Sequence, residues 1–191
     1  DSAPYMLRLK QLALDATHVR HVPSSFTAQA FITTDLDDNQ ITAFHPGAMQ
    51  QAHQNRVADA AGIGIGIVAP DGREAMLEHA RDFAVAGIPF IFDPGQGLPM
   101  FGGEELRRFI DQASWVVVND YEWSLLAERT GYTAADVAQR VEALIVTKGA
   151  EGSEIRTAGG RIDIPVVRAR QVVDPTGCGD AYRAGLIHGL V

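Results

Sequence analysis

Ile88-Pro89-Phe90-Ile91-Phe92-Asp93-Pro94-Gly95-Gln96 reads as an apolar strand that runs into a turn. Asp-Pro-Gly is turn chemistry, since Pro presets φ and Gly accepts positive φ. Before it, residues 73–86 carry Met76, Leu77, Ala80, Phe83 and Ala84 at helical spacing, and Gly87 supplies a stop. After it come a helix over 104–112 and a strand, Trp115-Val116-Val117-Val118, ending on Asn119. Helices over 121–130 and 134–141 lead to Ala143-Leu144-Ile145-Val146-Thr147, a further strand that opens into Lys148-Gly149-Ala150-Glu151-Gly152. Upstream, residues 61–69 form one more apolar run. Strand and helix thus alternate from 61 to 147. That order predicts an α/β fold, a mostly parallel sheet with helices on both faces. Ligands of such sheets bind outside the carboxyl ends of the strands. Asp93, Asn119 and Thr147-Lys148-Gly149 all fall there.

The rest of the chain adds smaller pieces. Phe26–Thr34 and Gln40–Phe44 predict a β-hairpin around Asp35-Leu36-Asp37-Asp38-Asn39. His45-Pro46-Gly47-Ala48 breaks it, and a helix is expected from Met49 to Val57. Tyr5–Leu14 has a loose apolar helical face, and Val19–Val22 an extended look. His18 and His21 stand three apart without acidic or thiol neighbours, which favours a surface role over metal ligation. The glycines of Gly62-Ile63-Gly64-Ile65-Gly66 lie inside an apolar run, so they do not make the strand–turn–helix dinucleotide fingerprint. Ser153–Thr157 and Arg161–Ile164 predict a second hairpin. There is no repeat and no low-complexity linker, and a single domain over 1–191 is expected.

Composition narrows the function. At 46% hydrophobic and 21% charged, the chain matches an ordinary globular domain rather than a disordered one. No apolar run approaches a membrane span, so no membrane partner is expected. A single Cys excludes an intrachain disulfide and a Cys-rich metal site. A net charge of −8 argues against a nucleic-acid partner, though a local cradle of backbone amides could still hold a nucleotide. Asp1-Ser2-Ala3-Pro4 lacks a basic and apolar leader, and the expected location is cytoplasmic.

The most specific pattern is Val173-Asp174-Pro175-Thr176-Gly177-Cys178-Gly179-Asp180-Ala181-Tyr182, with a helical run after it. A Gly-rich turn opening a helix aims several unpaired N–H groups at one point, and the helix dipole adds positive charge. Asp180 is the odd member, because a carboxylate repels a bound phosphate. A base that accepts a hydroxyl proton beside a transferring phosphoryl group would account for it. Cys178 is read as a small structural residue rather than a nucleophile, since no His is near in sequence.

The string Asp-x-Thr-Gly-x-Gly-Asp-Ala resembles the signature of the ribokinase (PfkB) family of carbohydrate and nucleoside kinases, with Pro175 and Cys178 as departures. The hairpin string from Phe26 to Ala48 is similar to the bacterial adenosine-kinase branch. The resemblance implies a ribokinase-like fold, with the hairpin contributing towards a lid. It implies Asp180 as catalytic base and Gly177, Cys178 and Gly179 as anion hole. It implies Thr147, Lys148, Gly149 and Gly152 at ATP, and Asn119 and Glu122 at Mg²⁺ through water or phosphate. Phe26, Gln29 and Gln96 would meet the substrate. Several local readings compete with these roles. Asn119 and Glu122 have the spacing of a capping box, Lys148 could point into water, Asp93–Gln96 could be a plain turn, and Phe26 could be a hairpin core residue. The implied reaction is ATP-dependent phosphorylation of the primary hydroxyl of a ribonucleoside, most closely adenosine. A ribose-like sugar is the alternative acceptor, and an incomplete, non-catalytic nucleotide-binding chain the alternative function. The small-molecule substrate would be the main partner, beside a second copy in a homodimer. The family's N-terminal sugar-binding motifs and final helices have no counterpart, so the chain is expected to be shorter than the family at both ends.

Overall fold

The computed structural model describes residues 1–35, 40–171 and 176–191. The hairpin turn at 36–39 and the 172–175 part of the signature, with Asp174 and Pro175, lie outside them. In chain order the elements are α1 (Ala3–Gln11), β1 (Gln29–Thr34), β2 (Gln40–His45), β3 (Gly66–Val68), α2 (Arg73–Ala86), β4 (Phe90–Phe92), α3 (Gly103–Gln112), β5 (Trp115–Asn119), α4 (Asp120–Thr130), α5 (Ala134–Ala138), β6 (Ala143–Thr147), β7 (Ser153–Thr157), β8 (Gly160–Ile164) and α6 (Cys178–Leu190). Short 3₁₀ helices fill Gly47–Gln54, Val57–Asp59, Gly95–Met100 and Gly149–Glu151.

One sheet runs in the order β3-β4-β5-β6-β7-β8. Its first four strands are parallel, and β7 and β8 add antiparallel at the far edge. Successive side chains of a strand point to opposite faces, and here each face has its own cover. Phe90, Phe92, Val116, Val118, Leu144 and Val146 pack with Met76 and Phe83 of α2, Leu106 and Phe109 of α3, Leu126 of α4 and Val137 of α5. Ile91, Val117 and Ile145 point the other way, onto Tyr182, Leu186 and Ile187 of α6. Helices therefore cover both faces, as the alternation predicts.

Several boundaries move, each for a physical reason. The apolar run at 61–69 contributes only Gly66–Val68 as strand. Gly66 is required by packing, because an added Cβ would lie 2.5 Å from the Phe83 ring. Ile88 and Pro89 stay outside β4; Pro89 has no N–H for the ladder, although its carbonyl accepts from Gly66 N at 2.9 Å. The helix expected over 49–57 is a 3₁₀ helix at Gly47–Gln54. β1 starts at Gln29, leaving Phe26 before the strand. Val19–Val22 joins no strand ladder. α1 spans Ala3–Gln11 rather than 5–14, and α5 ends at Ala138. β1 and β2 form a two-stranded sheet of their own. Phe31 and Ile41 on it are exposed.

The second hairpin buries one acid. Glu154 on β7 is only 5% exposed. Its carboxylate accepts from Lys148 Nζ at 2.7 Å and from Arg156 Nε, with Arg161 Nη2 at 3.3 Å. The Lys148 hydrogen bond, then Arg156, hold this carboxyl below the usual glutamate range against the opposing effect of burial. A depressed folded pKa gives stability that is full above the unfolded value and is lost as pH falls through the folded one. The three cations are partly solvated, so Glu154→Gln is expected to cost only about 1 kcal/mol at neutral pH. The melting temperatures of wild type and variant should converge as pH falls below the ordinary glutamate range. A gap that persists unchanged in acid would refute the ionic account.

Candidate active site

The site is built at the carboxyl edge of the sheet. Gly177 adopts φ 81°, the left-handed region that favours glycine, and caps α6 without a side-chain hydrogen bond. The helix closes behind it through Ala181 N to Gly177 O at 2.9 Å. The N-cap residue itself has no side chain, and Asp180 stands exposed in the first turn. Cys178 is an exposed free thiol and fills no core space. α6 is seated by Tyr182, Leu186 and Ile187 on the sheet. Tyr182 Oη also meets the buried Ser153 Oγ of β7 at 2.9 Å.

Facing the start of α6 is the end of β4. Asp93 is 2% exposed, and Arg183 Nη2 donates to its Oδ1 at 2.7 Å while Arg183 Nε faces Oδ2. Burial pushes the Asp93 carboxyl up, the Arg183 guanidinium opposes this, and the Asp180 charge adds to the rise. Glu122 belongs to the same field. Burial raises its carboxyl, the Asn119 amide opposes, and the Asp93 charge raises it further. Asp93, Glu122, Asp180 and Arg183 are thus one electrostatic cluster drawn from the end of β4 and from α4 and α6.

Asn119 and Glu122 form a reciprocal cap on α4. Asn119 Oδ1 accepts from Glu122 N at 2.7 Å, and Glu122 Oε2 accepts from Asn119 N at 2.9 Å. The capping geometry is therefore present, and it holds Glu122 at the edge of the cluster. At the end of β6, Thr147 Oγ1 is 3.5 Å from Val118 O. The loop after it is closed by Lys148 N to Gly152 O at 2.8 Å. Lys148 places its ammonium on Glu154 while part of the side chain remains solvated. Gly149 and Gly152 have φ 54° and 88°. Gly152 has a further structural reason, since a Cβ there would collide with the Ile164 carbonyl.

The hairpin exits beside the same edge. Phe26 O accepts from Ala48 N at 2.8 Å, and its ring is 72% exposed, so it is not a hairpin core residue. A Cβ at Gly72 would lie 2.8 Å from Met49 O, which fixes how closely the segment after β2 approaches the start of α2. A Cβ at Gly95 would lie 2.6 Å from Pro70 Cγ, so the ends of β3 and β4 are also in close contact. Gln29 is exposed on β1 and Gln96 exposed in the 3₁₀ turn after β4. His18 and His21 are exposed, as expected for surface residues. Arg183 is the member that sequence reasoning missed. An Arg in the second turn of an anion-binding helix is a weak local signal, and its partner is ninety residues away.

Comparison with known proteins places the chain among relatives. The model of the pfkB family carbohydrate kinases matches residues 2–191. The nucleoside kinase of Methanocaldococcus jannaschii is 35% identical over 187 residues, covering 98% of this chain and 61% of that protein. The structure of the Burkholderia thailandensis nucleoside kinase with inosine is 53% identical at a TM-score of 0.96, covering 100% of this chain and 62% of that one. The same enzyme described with ADP-inosine gives a TM-score of 0.95. The chain spans about three-fifths of the length of these relatives.

Proposed function

Because the chain belongs to the pfkB family of carbohydrate kinases, we propose that it transfers the γ-phosphoryl group of ATP to the primary hydroxyl of a purine ribonucleoside. The observation that carries this reading is the glycine cap of α6 at Gly177 with Asp180 in the first turn. Backbone amides suit the charge on a transferring phosphoryl group, and they cost no reorganisation as it develops. In this reading the amides from Gly177 to Asp180 hold that charge, and Asp180 accepts the hydroxyl proton. Its exposure leaves it open to an incoming hydroxyl. The loop at Thr147–Gly152 takes the nucleotide, with Gly149 allowing close backbone approach and Lys148 acting through its backbone, since its side chain is engaged.

Mg²⁺ fits only as a guest of the phosphates. Among the described residues no group of three or more His, Cys, Asp or Glu side chains could hold a metal. Mg²⁺ keeps most of its waters and needs few carboxylates when phosphate is present. Glu122, with one oxygen committed to the Asn119 amide, would hold such an ion through water, and the ion would neutralise phosphate charge. Among the described residues no helix is long and apolar enough to cross a membrane. A cytoplasmic location and a homodimer belong to the same proposal.

The acceptor is tested at Phe26. A nucleoside base stacked on this exposed ring would bury one face, an effect of ~1–3 kcal/mol per base. In a chain of the family's full length, Phe26→Ala is expected to raise the KM for adenosine and inosine by roughly 5- to 150-fold. Slow transfer to ribose should change little. Inosine stands beside adenosine in the assay because the Burkholderia relative was solved with it. Equal losses for ribose and nucleosides would move the acceptor to a ribose-like sugar.

A further inference from the structure

Arg183 belongs to the acidic cluster but not to the Gly-x-Gly-Asp pattern. It lies four residues after Gly179 and three after Asp180, one turn into α6. Long helical side chains lean back over the turn that precedes their own Cα. Arg183 does so, since a Cβ added at Gly179 would sit 2.6 Å from its Nη1. The guanidinium therefore lies against the second glycine of the cradle, near the positive end of the helix. The macrodipole disfavours a cation there and favours it in the last turn. Asp93 offsets this with a hydrogen bond from Arg183 Nη2 and an ion-pair approach at Nε, and the Glu122 and Asp180 charges act in the same sense.

Stability alone explains this pair poorly. Side-chain exposure is 21% for Arg183 and 2% for Asp93. Burying an ion pair costs desolvation that its attraction does not reliably return, and a packed apolar pair can do as well. The layout of the tethers offers a better reason. Consecutive residues of α6 are tied to different strands: Tyr182 to Ser153 on β7, and Arg183 to Asp93 at the end of β4. In the sheet, β5 and β6 lie between those strands. A helix held by one contact can roll about its axis, whereas two contacts this far apart across the sheet prevent it. A roll of one residue, about 100°, would aim Asp180 and the cradle amides elsewhere.

We propose that Arg183 and Asp93 are a positioning pair, which with the Tyr182–Ser153 contact sets the rotation of α6 so that the Gly177–Asp180 amides and the Asp180 carboxylate meet at one point. What the cradle holds rests on the phosphotransfer reading above; the clamp itself does not.

The test compares Arg183→Met, Arg183→Lys and the double variant Asp93→Asn/Arg183→Met in a chain of the family's full length. Misaiming a reacting group by about 1 Å can cost roughly 10²-fold. Arg183→Met is therefore expected to lower kcat about 10²-fold while the KM values for ATP and nucleoside stay within about threefold. Lys keeps the charge without the two-pronged fork, so Arg183→Lys should recover about tenfold of that loss. The double variant removes both charges and should regain thermal stability, but not kcat. If Arg183→Met alone fails to fold, the double variant carries the same comparison. Hydrogen exchange supplies a readout independent of activity. Amides of α6 from Ala181 onward should exchange about tenfold faster in the double variant than in wild type, with β5 and β6 unchanged. A double variant with wild-type kcat, or with unaltered α6 exchange, would overturn the proposal. A wild-type chain with no phosphotransfer would instead sink the functional reading, and the exchange comparison would still decide the clamp.

Discussion

Asp180→Asn is expected to lower phosphoryl transfer by ~10²–10⁴-fold, the usual contribution of a positioned general base. Asn matches Asp in size, so the first turn of α6 should keep its form. Its side chain is exposed at a helix start and supports no core packing. Losing an acid from the first turn costs only ~0.3–1 kcal/mol through the macrodipole. Nucleotide binding should therefore be nearly unchanged or slightly tighter, because a negative charge leaves an anion site. The informative measurement is single-turnover transfer in a chain of the family's full length, with nucleotide affinity measured on the same sample. Turnover within about threefold of wild type would remove Asp180 from the role of base. Loss of nucleotide affinity together with turnover would point instead to a cradle that has come apart.

Phe109→Ala is expected to destabilise the fold severely. Phe109 of α3 is 1% exposed and stacks on Phe92 of β4, with ring centroids 4.5 Å apart and planes 6° apart. It also meets Phe101 edge-on at 5.0 Å. Truncating a buried Phe typically costs ~3–5 kcal/mol, and each aromatic pair adds ~0.5–1.5 kcal/mol. Domains of ordinary stability hold only ~5–15 kcal/mol in total. Urea unfolding should show a lower midpoint with an unchanged slope, and Phe31→Ala on the exposed hairpin should show almost no shift. The loss should reach the site as well. Phe92 precedes Asp93, and Phe101 ends the 3₁₀ segment that carries Gln96. A shift below about 1 kcal/mol would mean that the ring cluster collapses around the gap.

The elements with a local signature were legible in the chain itself. Arg73–Ala86 has its apolar stripe and a Gly87 stop, and the structure places α2 over those same residues with Gly87 at φ 67°. Ala143–Thr147 is likewise strand β6. The reason is physical: amphipathic periodicity and left-handed caps are properties of neighbouring residues, so they survive without knowledge of the rest. The same holds for Gly177-Cys178-Gly179-Asp180, a turn and helix start within one short string.

Only tertiary structure decided the rest. Strand lengths depend on what lies alongside, so the 61–69 run shrank to Gly66–Val68 beside a three-residue β4. Gly66 and Gly152 are explained by a Phe83 ring and an Ile164 carbonyl that approach from other elements. Lys148 was equally suited to phosphate or water by sequence, and the fold of β7 gave it Glu154. Arg183 and Asp93 are ninety residues apart, and each alone is an ordinary charge. Their pairing follows from the sheet order and the seat of α6 on its second face, because burial leaves each charge only the partner that the fold brings to it.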